Sequence, residues 1–235
     1  MADINYLWAP PAPVTLPVRG TSARLPVNRV FFVGRNYQAH AKEMGTTVDK
    51  ATMRPIYFTK FVQMVVAAGG SAPYPPETQD YHHEVELVVA LGTGGFRVTP
   101  DAAIGMIYGY ACGLDMTRRD LQATAKAKGN PWDVAKNVEN GAVVGEITPA
   151  EGRIPSEGEI SLYVNGEVRQ HGNLSDMIWS VPEIISDLSS YYHLEPGDLI
   201  FTGTPEGVGP VQPGDQLEGR IERVGTLSFK IAPPD

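Results

Sequence analysis

The stretch Glu84-Val-Glu-Leu-Val-Val-Ala-Leu91 decides the fold. Its side chains alternate with the period of two that marks a β-strand. Val85, Leu87, Val89 and Leu91 fall on one face, and Glu84, Glu86, Val88 and Ala90 on the other. The second face is partly acidic and partly apolar. If the sheet is covered on both sides, two carboxylates face an interior, where an unpaired charge costs roughly several kcal/mol. A divalent cation would neutralise them. A half-exposed strand carrying two solvated glutamates is the other reading that the spacing leaves open.

Elements on either side are short and separated by strong breakers. Residues 30–34 read as a buried strand, and Asn36 is placed to cap a short helix over 37–44 that Gly45 ends. Residues 56–68 are apolar and β-branched, hence strand, until Gly69-Gly70 and Pro73, Pro75 and Pro76 interrupt. Residues 104–114 form a further buried segment. Thr117 and Asp120 make a capping-box pattern for a helix over 118–128, stopped by Gly129. Asn165-Gly166 is a two-residue hairpin signal. Ser180 and Glu183 form a second capping box, with Pro182 in the first turn, and Ile184, Leu188 and Tyr191 give helical spacing over 181–192. The last stretch carries Pro-Gly-Asp at 196–198 and 213–215 and reads as short strands joined by tight turns. The pattern is α+β, mainly β, with three short helices, and lacks the regular alternation of βαβ units.

The chain has 235 residues and a net charge of −8. That charge argues against nucleic acid or an anionic membrane as the main partner, while a local cation cluster still admits a small anionic substrate. Cys112 is the single cysteine, set in the apolar run Gly109–Leu114, and reads as a buried structural thiol. No internal disulfide can form, which fits a reducing cytoplasm. Met1–Trp8 lacks the basic start of a signal peptide, and no stretch reaches the ~18 apolar residues of a membrane span.

Several side chains have the chemistry of a site. His40 and Glu43 are neighbours on one helix face, where the carboxylate can orient the imidazole as a general base or form an ordinary surface pair. Asp115 follows the buried segment and precedes a helix, as a site residue or a cap. Lys136, in Pro131-Trp-Asp-Val-Ala-Lys136, is an electrophile candidate or an exposed lysine. His82 shares the parity of Glu84 and His83 does not; either could support the carboxylates or be structural. Gly203-Thr-Pro-Glu-Gly-Val-Gly209 matches no nucleotide-binding fingerprint, but Thr204 and the loop amides could hold a substrate oxygen.

Taken together, Gly34-Arg-Asn-Tyr37 with His40 and Glu43, His82-His-Glu-Val-Glu-Leu87, Leu114-Asp-Met-Thr-Arg-Arg-Asp-Leu-Gln122, Pro131–Lys136, Val164-Asn-Gly-Glu-Val-Arg-Gln170 and Phe201-Thr-Gly-Thr-Pro-Glu-Gly-Val-Gly209 occur in an order that resembles the fumarylacetoacetate hydrolase family. The resemblance runs from about residue 29 to the C-terminus. It leaves residues 1–28 as an extended, proline-rich arm and makes 29–235 the catalytic domain. It implies a compact mixed β-sandwich roll with short flanking helices, usually a homodimer. It implies Mg²⁺ or Mn²⁺, with Ca²⁺ a third candidate, on Glu84, Glu86 and Asp115, and His40 and Glu43 as catalytic dyad. Lys136 is expected to counter developing negative charge, and Arg35, Lys60, Gln122 and Thr204 to contact substrate. The implied reaction is hydrolysis of the C–C bond of a small 2,4-dioxo acid, an acylpyruvate, with fumarylpyruvate the leading substrate. Its distal carboxylate needs a further cation, for which Arg118 or Arg119, Arg35 and Lys60 are the candidates. Oxaloacetate decarboxylation, or isomerisation and decarboxylation of a 2-oxo acid, is the alternative on the same site.

Overall fold

A computed structural model describes residues 5–235; residues 1–4 of the expected arm lie outside the described residues. Strand Val85–Leu91 is buried along its whole length. It lies in the middle of an eight-stranded mixed sheet, between Leu199–Phe201 and Ile107–Asp115. Val30–Gly34 and Ile56–Lys60 continue the sheet on one side, Ala142–Val144 and Val65–Ala67 on the other.

The two faces of that strand serve two cores. Val85, Leu87, Val89 and Leu91 join the larger cluster, which includes Ile160, Leu162, Leu217 and Phe229 of a five-stranded second sheet and Ile184, Ile185 and Leu188 of helix Val181–Leu188. Val88 and Ala90 join a second cluster with Phe32, Ala111, Val144 and Phe201. The sheet is thus covered on both sides, and the face carrying Glu84 and Glu86 is interior. This arrangement, mostly β with short helices, agrees with the sandwich roll expected from the sequence.

Residues 15–17 and 24–26 of the arm pair as a two-stranded hairpin, and Leu16, Val18 and Leu25 pack into the second core. The proline-rich stretch therefore has more order than its lack of periodicity suggested.

Locally encoded features appear where expected. Asn165 and Gly166 take φ of 53° and 82°, turning the hairpin between Glu159–Val164 and Glu167–Asn173. Both bonds of the Ser180–Glu183 capping box form, although the helix ends at Leu188 and leaves Tyr191 half exposed. Gly129 ends helix Arg119–Lys128 at φ 65°. Two expected caps are absent. The N-cap of the first helix is Tyr37, without a side-chain bond. Asn36 is buried instead, donating to Trp179 O and Thr202 O and accepting from Trp179 N. The N-cap of Arg119–Lys128 is Arg118; Thr117 is drawn into the site and Asp120 accepts from Thr78 Oγ1 and Gln79 N. In each case a long-range partner displaces the local bond. No described helix is long and apolar enough to cross a membrane.

Candidate metal centre and active site

Antiparallel pairing sets Glu86 opposite Gly113, and Asp115 N donates to Glu84 O at 2.9 Å. Adjacent strands therefore deliver Glu84, Glu86 and Asp115 to one face, with one oxygen of each within 4.8 Å of the others. All three residues are buried, at 5%, 2% and 0% exposure.

Cations surround this acidic cluster. Lys136 Nζ donates to Glu84 Oε2 at 2.9 Å, Asp115 Oδ2 at 2.6 Å and Thr117 Oγ1 at 2.7 Å, so all three of its N–H bonds are committed. Arg119 pairs with Glu84 and also donates to Gln122 Oε1. Lys60 Nζ lies 2.7 Å from Asp115 Oδ1 and donates to Met116 O and Gly141 O. Among the described residues Glu86 has no cation in an ion pair, and it accepts instead from Gly203 N at 2.7 Å.

These partners set the protonation states. Burial opposes ionisation of Glu84, but Lys136, Arg119 and His40 outweigh it and hold Glu84 well below the usual carboxylate range. Burial raises Glu86 well above that range, and the charges of Asp115 and Glu84 push the same way. Burial works against charging Lys136, but Asp115 and Glu84 prevail and keep it cationic.

The residues fit a hard divalent cation. Such ions take oxygen ligands, and three carboxylates converge here. Asp115 Oδ1 is buried and accepts no hydrogen bond of good geometry; its contact with Lys60 is ionic. The raised Glu86 also marks a place that lacks positive charge.

The cavity beside this cluster is lined by His40, Arg35, Gln122, Lys136 and Thr204, which the sequence singled out, and by Arg119, Lys126, Met44, Ile56, Phe58 and Trp132. His40 Nδ1 lies 3.0 Å from Glu43 Oε2, and Glu43 Oε1 accepts from Gly207 N at 3.0 Å. One loop, Thr202–Gly209, thus touches the Glu86 carboxylate through Gly203 and the His–Glu pair through Gly207. Gly203 and Gly207 take φ of 96° and 88°. A Cβ at 203 would fall 2.7 Å from Asn36 Cβ, and one at 207 would strike the Arg169 carbonyl, so the close approach requires glycine at both.

Two expected substrate contacts are corrected. The Lys60 side chain is fully buried behind Asp115, and it does not line the cavity. Arg118 turns away, donating to Pro76 O and Val134 O; Arg119 is the one that faces inward. Lys126 was not expected from the sequence, yet Arg119, Gln122 and Lys126 stand at i, i+3 and i+7, one helix face, a spacing that could have revealed it. Of the two histidines, His82 Nε2 meets Asp80 Oδ1 at 2.8 Å and His83 Nδ1 meets Gln170 Oε1 at 3.0 Å. Burial lowers His83 to about 4, so it is neutral at pH 7. Cys112 is buried and burial pushes its thiol up, as suits a structural residue.

Residues 29–232 match the family described as Fumarylacetoacetate (FAA) hydrolase C-terminal. The chain is 53% identical over 192 residues to a fumarylpyruvate hydrolase from Ralstonia sp, covering 82% of this chain and 100% of that protein. It is 41% identical over 208 residues to the human mitochondrial oxaloacetate tautomerase FAHD1, covering 88% and 92%. Its fold superposes with a TM-score of 0.93 on the crystal structure of a fumarylpyruvate hydrolase from Pseudomonas aeruginosa in complex with Mn²⁺ and pyruvate, at 45% identity and covering 97% and 100%.

Proposed function

The chain belongs to the fumarylacetoacetate hydrolase family, and on that premise we propose that it hydrolyses the C–C bond of an acylpyruvate, with fumarylpyruvate as substrate and fumarate and pyruvate as products. One observation carries the reading: the His40–Glu43 pair opens on the same cavity as the three buried carboxylates. Hydrolysis needs an activated water as well as a metal; decarboxylation needs no such water.

Glu84, Glu86 and Asp115 would hold the divalent cation, Mn²⁺ or Mg²⁺. Once bound, it supplies Lewis acidity toward the oxygens of the oxo acid and makes the enolate of pyruvate a tolerable leaving group. Glu43 on Nδ1 leaves His40 Nε2 to take a proton from water and stabilises the imidazolium that results. The hydroxide adds to the C4 carbonyl. Lys136 and Arg119 supply positive charge for the oxygen that becomes anionic there. The C3–C4 bond then breaks, its electron pair passing to C3, and the imidazolium of His40 returns the proton to give pyruvate. The acyl half leaves as fumarate. Thr204 and Gln122 line the space in which the pyruvoyl half would lie.

The distal carboxylate of fumarylpyruvate needs a cation that is not already engaged. Arg119 is taken by Glu84 and Gln122. Arg35 and Lys126 line the cavity and have no acidic partner among the described residues, so they are assigned this contact. The reading is completed by a cytoplasmic homodimer acting in aromatic catabolism. The single cysteine, which can form no internal disulfide, suits the cytoplasm, and the family resemblance supports the homodimer and the catabolic role.

The test is a comparison of substrates on Mn²⁺-loaded protein. Fumarylpyruvate should be cleaved to equal amounts of fumarate and pyruvate, with kcat/KM roughly ten- to a hundredfold above acetylpyruvate, the scale of one charge-assisted contact. Equal efficiencies would leave a general acylpyruvase. Keto–enol interconversion of oxaloacetate faster than cleavage of either would favour the reaction named for the human relative, and its loss as CO₂ would favour decarboxylation.

A further inference from the structure

The motif Val164–Gln170 ends on a side chain that the chemistry above leaves unused. Gln170 belongs to strand Glu167–Asn173 of the five-stranded sheet and is 0% exposed. Its amide nevertheless reaches across to the metal-bearing strand and the Thr202–Gly209 loop. Oε1 accepts from Val85 N at 3.0 Å and lies 3.0 Å from His83 Nδ1. Nε2 donates to Thr204 Oγ1 at 2.8 Å and to Pro205 O at 2.9 Å.

The direction of every bond in this network is fixed. The Val85 amide only donates and the Pro205 carbonyl only accepts, so the Gln170 amide cannot be turned over. His83 Nδ1 must then carry a proton, and Thr204 Oγ1 must act as acceptor toward Gln170. A hydroxyl that accepts still has one proton to donate. The neighbouring threonines spend theirs on the backbone, Thr117 on Asp115 O at 3.3 Å and Thr202 on Leu87 O at 3.0 Å. Thr204 Oγ1 donates to no acceptor among the described residues, and Thr204 lines the cavity with Glu86, Arg35 and His40.

We propose that Gln170 is a positioning residue that polarises the Thr204 hydroxyl, making it a one-way donor to an oxygen of the bound 2-oxo acid. The identity of that ligand rests on the acylpyruvate reading. An unconstrained hydroxyl can donate or accept and so discriminates little. A hydroxyl held as donor favours a carboxylate or enolate oxygen, and is left unpaired against the ammonium of a 2-amino acid, a mismatch that sites built from fixed donors reject strongly.

The experiment uses pyruvate as probe on the Mn²⁺-loaded protein, with binding read by calorimetry. Gln170→Glu keeps the shape of the side chain. A carboxyl offers at most one proton where the amide offers two, and the Pro205 carbonyl competes for it. Thr204 can then turn its own proton back toward residue 170. Pyruvate affinity should fall roughly ten- to a hundredfold, with Mn²⁺ affinity unchanged. Thr204→Val should show the same loss, and the double variant should lose no more than Thr204→Val alone, because both changes remove one contact. Fully additive losses, or unchanged pyruvate affinity in Gln170→Glu, would overturn the proposal. Should Gln170→Glu not fold, Thr204→Ser against Thr204→Val decides: serine should keep pyruvate affinity within about threefold and valine should not, and equal affinities would overturn it. Turnover of fumarylpyruvate by the unaltered protein tests the substrate reading separately. No turnover with Gln170-dependent pyruvate binding would sink that reading alone; turnover with Gln170-independent binding would sink this proposal alone.

Discussion

Glu84, Glu86 and Asp115 stand on central, paired strands of a sheet buried on both faces, and Lys60, Lys136, Arg119 and the Gly203 amide hold their oxygens. His40 and Glu43 stand on a helix of 6 residues without a side-chain N-cap, and the Glu43 side chain is 34% exposed. So short a helix has little stability of its own; the Gly207 amide on Glu43 ties it to the loop. Glu84 and Asp115 are over-determined, each held by several cations, and Glu86 is held by the Gly203 amide, whereas the His40–Glu43 pair is attached by a few bonds. On the proposed reading, the difference makes cation binding and water activation separable. A change among the carboxylates disturbs several ions at once, because removing one member of a buried pair strands the other. A change on the helix should leave the cation-binding side as it was.

The largest effect should come from Glu84→Gln. It removes a proposed cation ligand and strips Lys136 and Arg119 of the carboxylate they share. Loss of a supporting group around a metal costs roughly 10–100-fold in affinity; loss of this ligand should exceed about a hundredfold and take fumarylpyruvate turnover to background. Mn²⁺ titration with fumarate release checks both. Affinity kept within about tenfold would break the contrast between the two regions.

The carboxylate side was the more legible of the two in the sequence. Alternation placed Glu84 and Glu86 on the face of Val88 and Ala90, but only the second core on that face shows that the glutamates are interior. Asn165-Gly166 and the Ser180–Glu183 box were readable because their partners lie within a few residues. Asn36, Thr117 and Asp120 were misread as caps for the opposite reason: each finds a better partner from a distant segment, and no local pattern announces it. Lys60 and Arg118 were misplaced because a lysine on an outer strand and two adjacent arginines look alike whether buried or exposed. Burial of Lys60 against Asp115 and the rotation of helix Arg119–Lys128 settle them. The bond directions around Gln170 depend on a contact between two sheets and left no trace in the spacing.

A smaller effect sharpens the comparison through pH. In metal-free protein burial, then Asp115 and Glu84, raise Glu86. An acid whose folded pKa exceeds its unfolded value, about 4.3, stabilises the fold fully below that value and loses the contribution as pH climbs through the folded pKa. The Tm of metal-free protein should therefore decline as pH rises through the range above about 4.3, by about 2–4 °C for each kcal/mol lost. Glu86→Gln should reduce the decline to the part that Asp115, also raised by burial, contributes, and Mn²⁺ on the unaltered protein should flatten it. A slope that Glu86→Gln leaves unchanged would show that Glu86 is not a strained member of the cluster.

The most direct measurement is His40→Ala, with Mn²⁺ affinity and fumarate release determined on the same preparation. His40 faces the cavity from the helix and bonds to Glu43, and no carboxylate oxygen of the cluster is its hydrogen-bond partner. Turnover of fumarylpyruvate should fall by roughly 10²–10⁴, the range for a lost acid–base group, while Mn²⁺ affinity stays within about twofold of the unaltered protein. Loss of the metal would make His40 a ligand, and undiminished fumarate release would make it a bystander; either result contradicts the account.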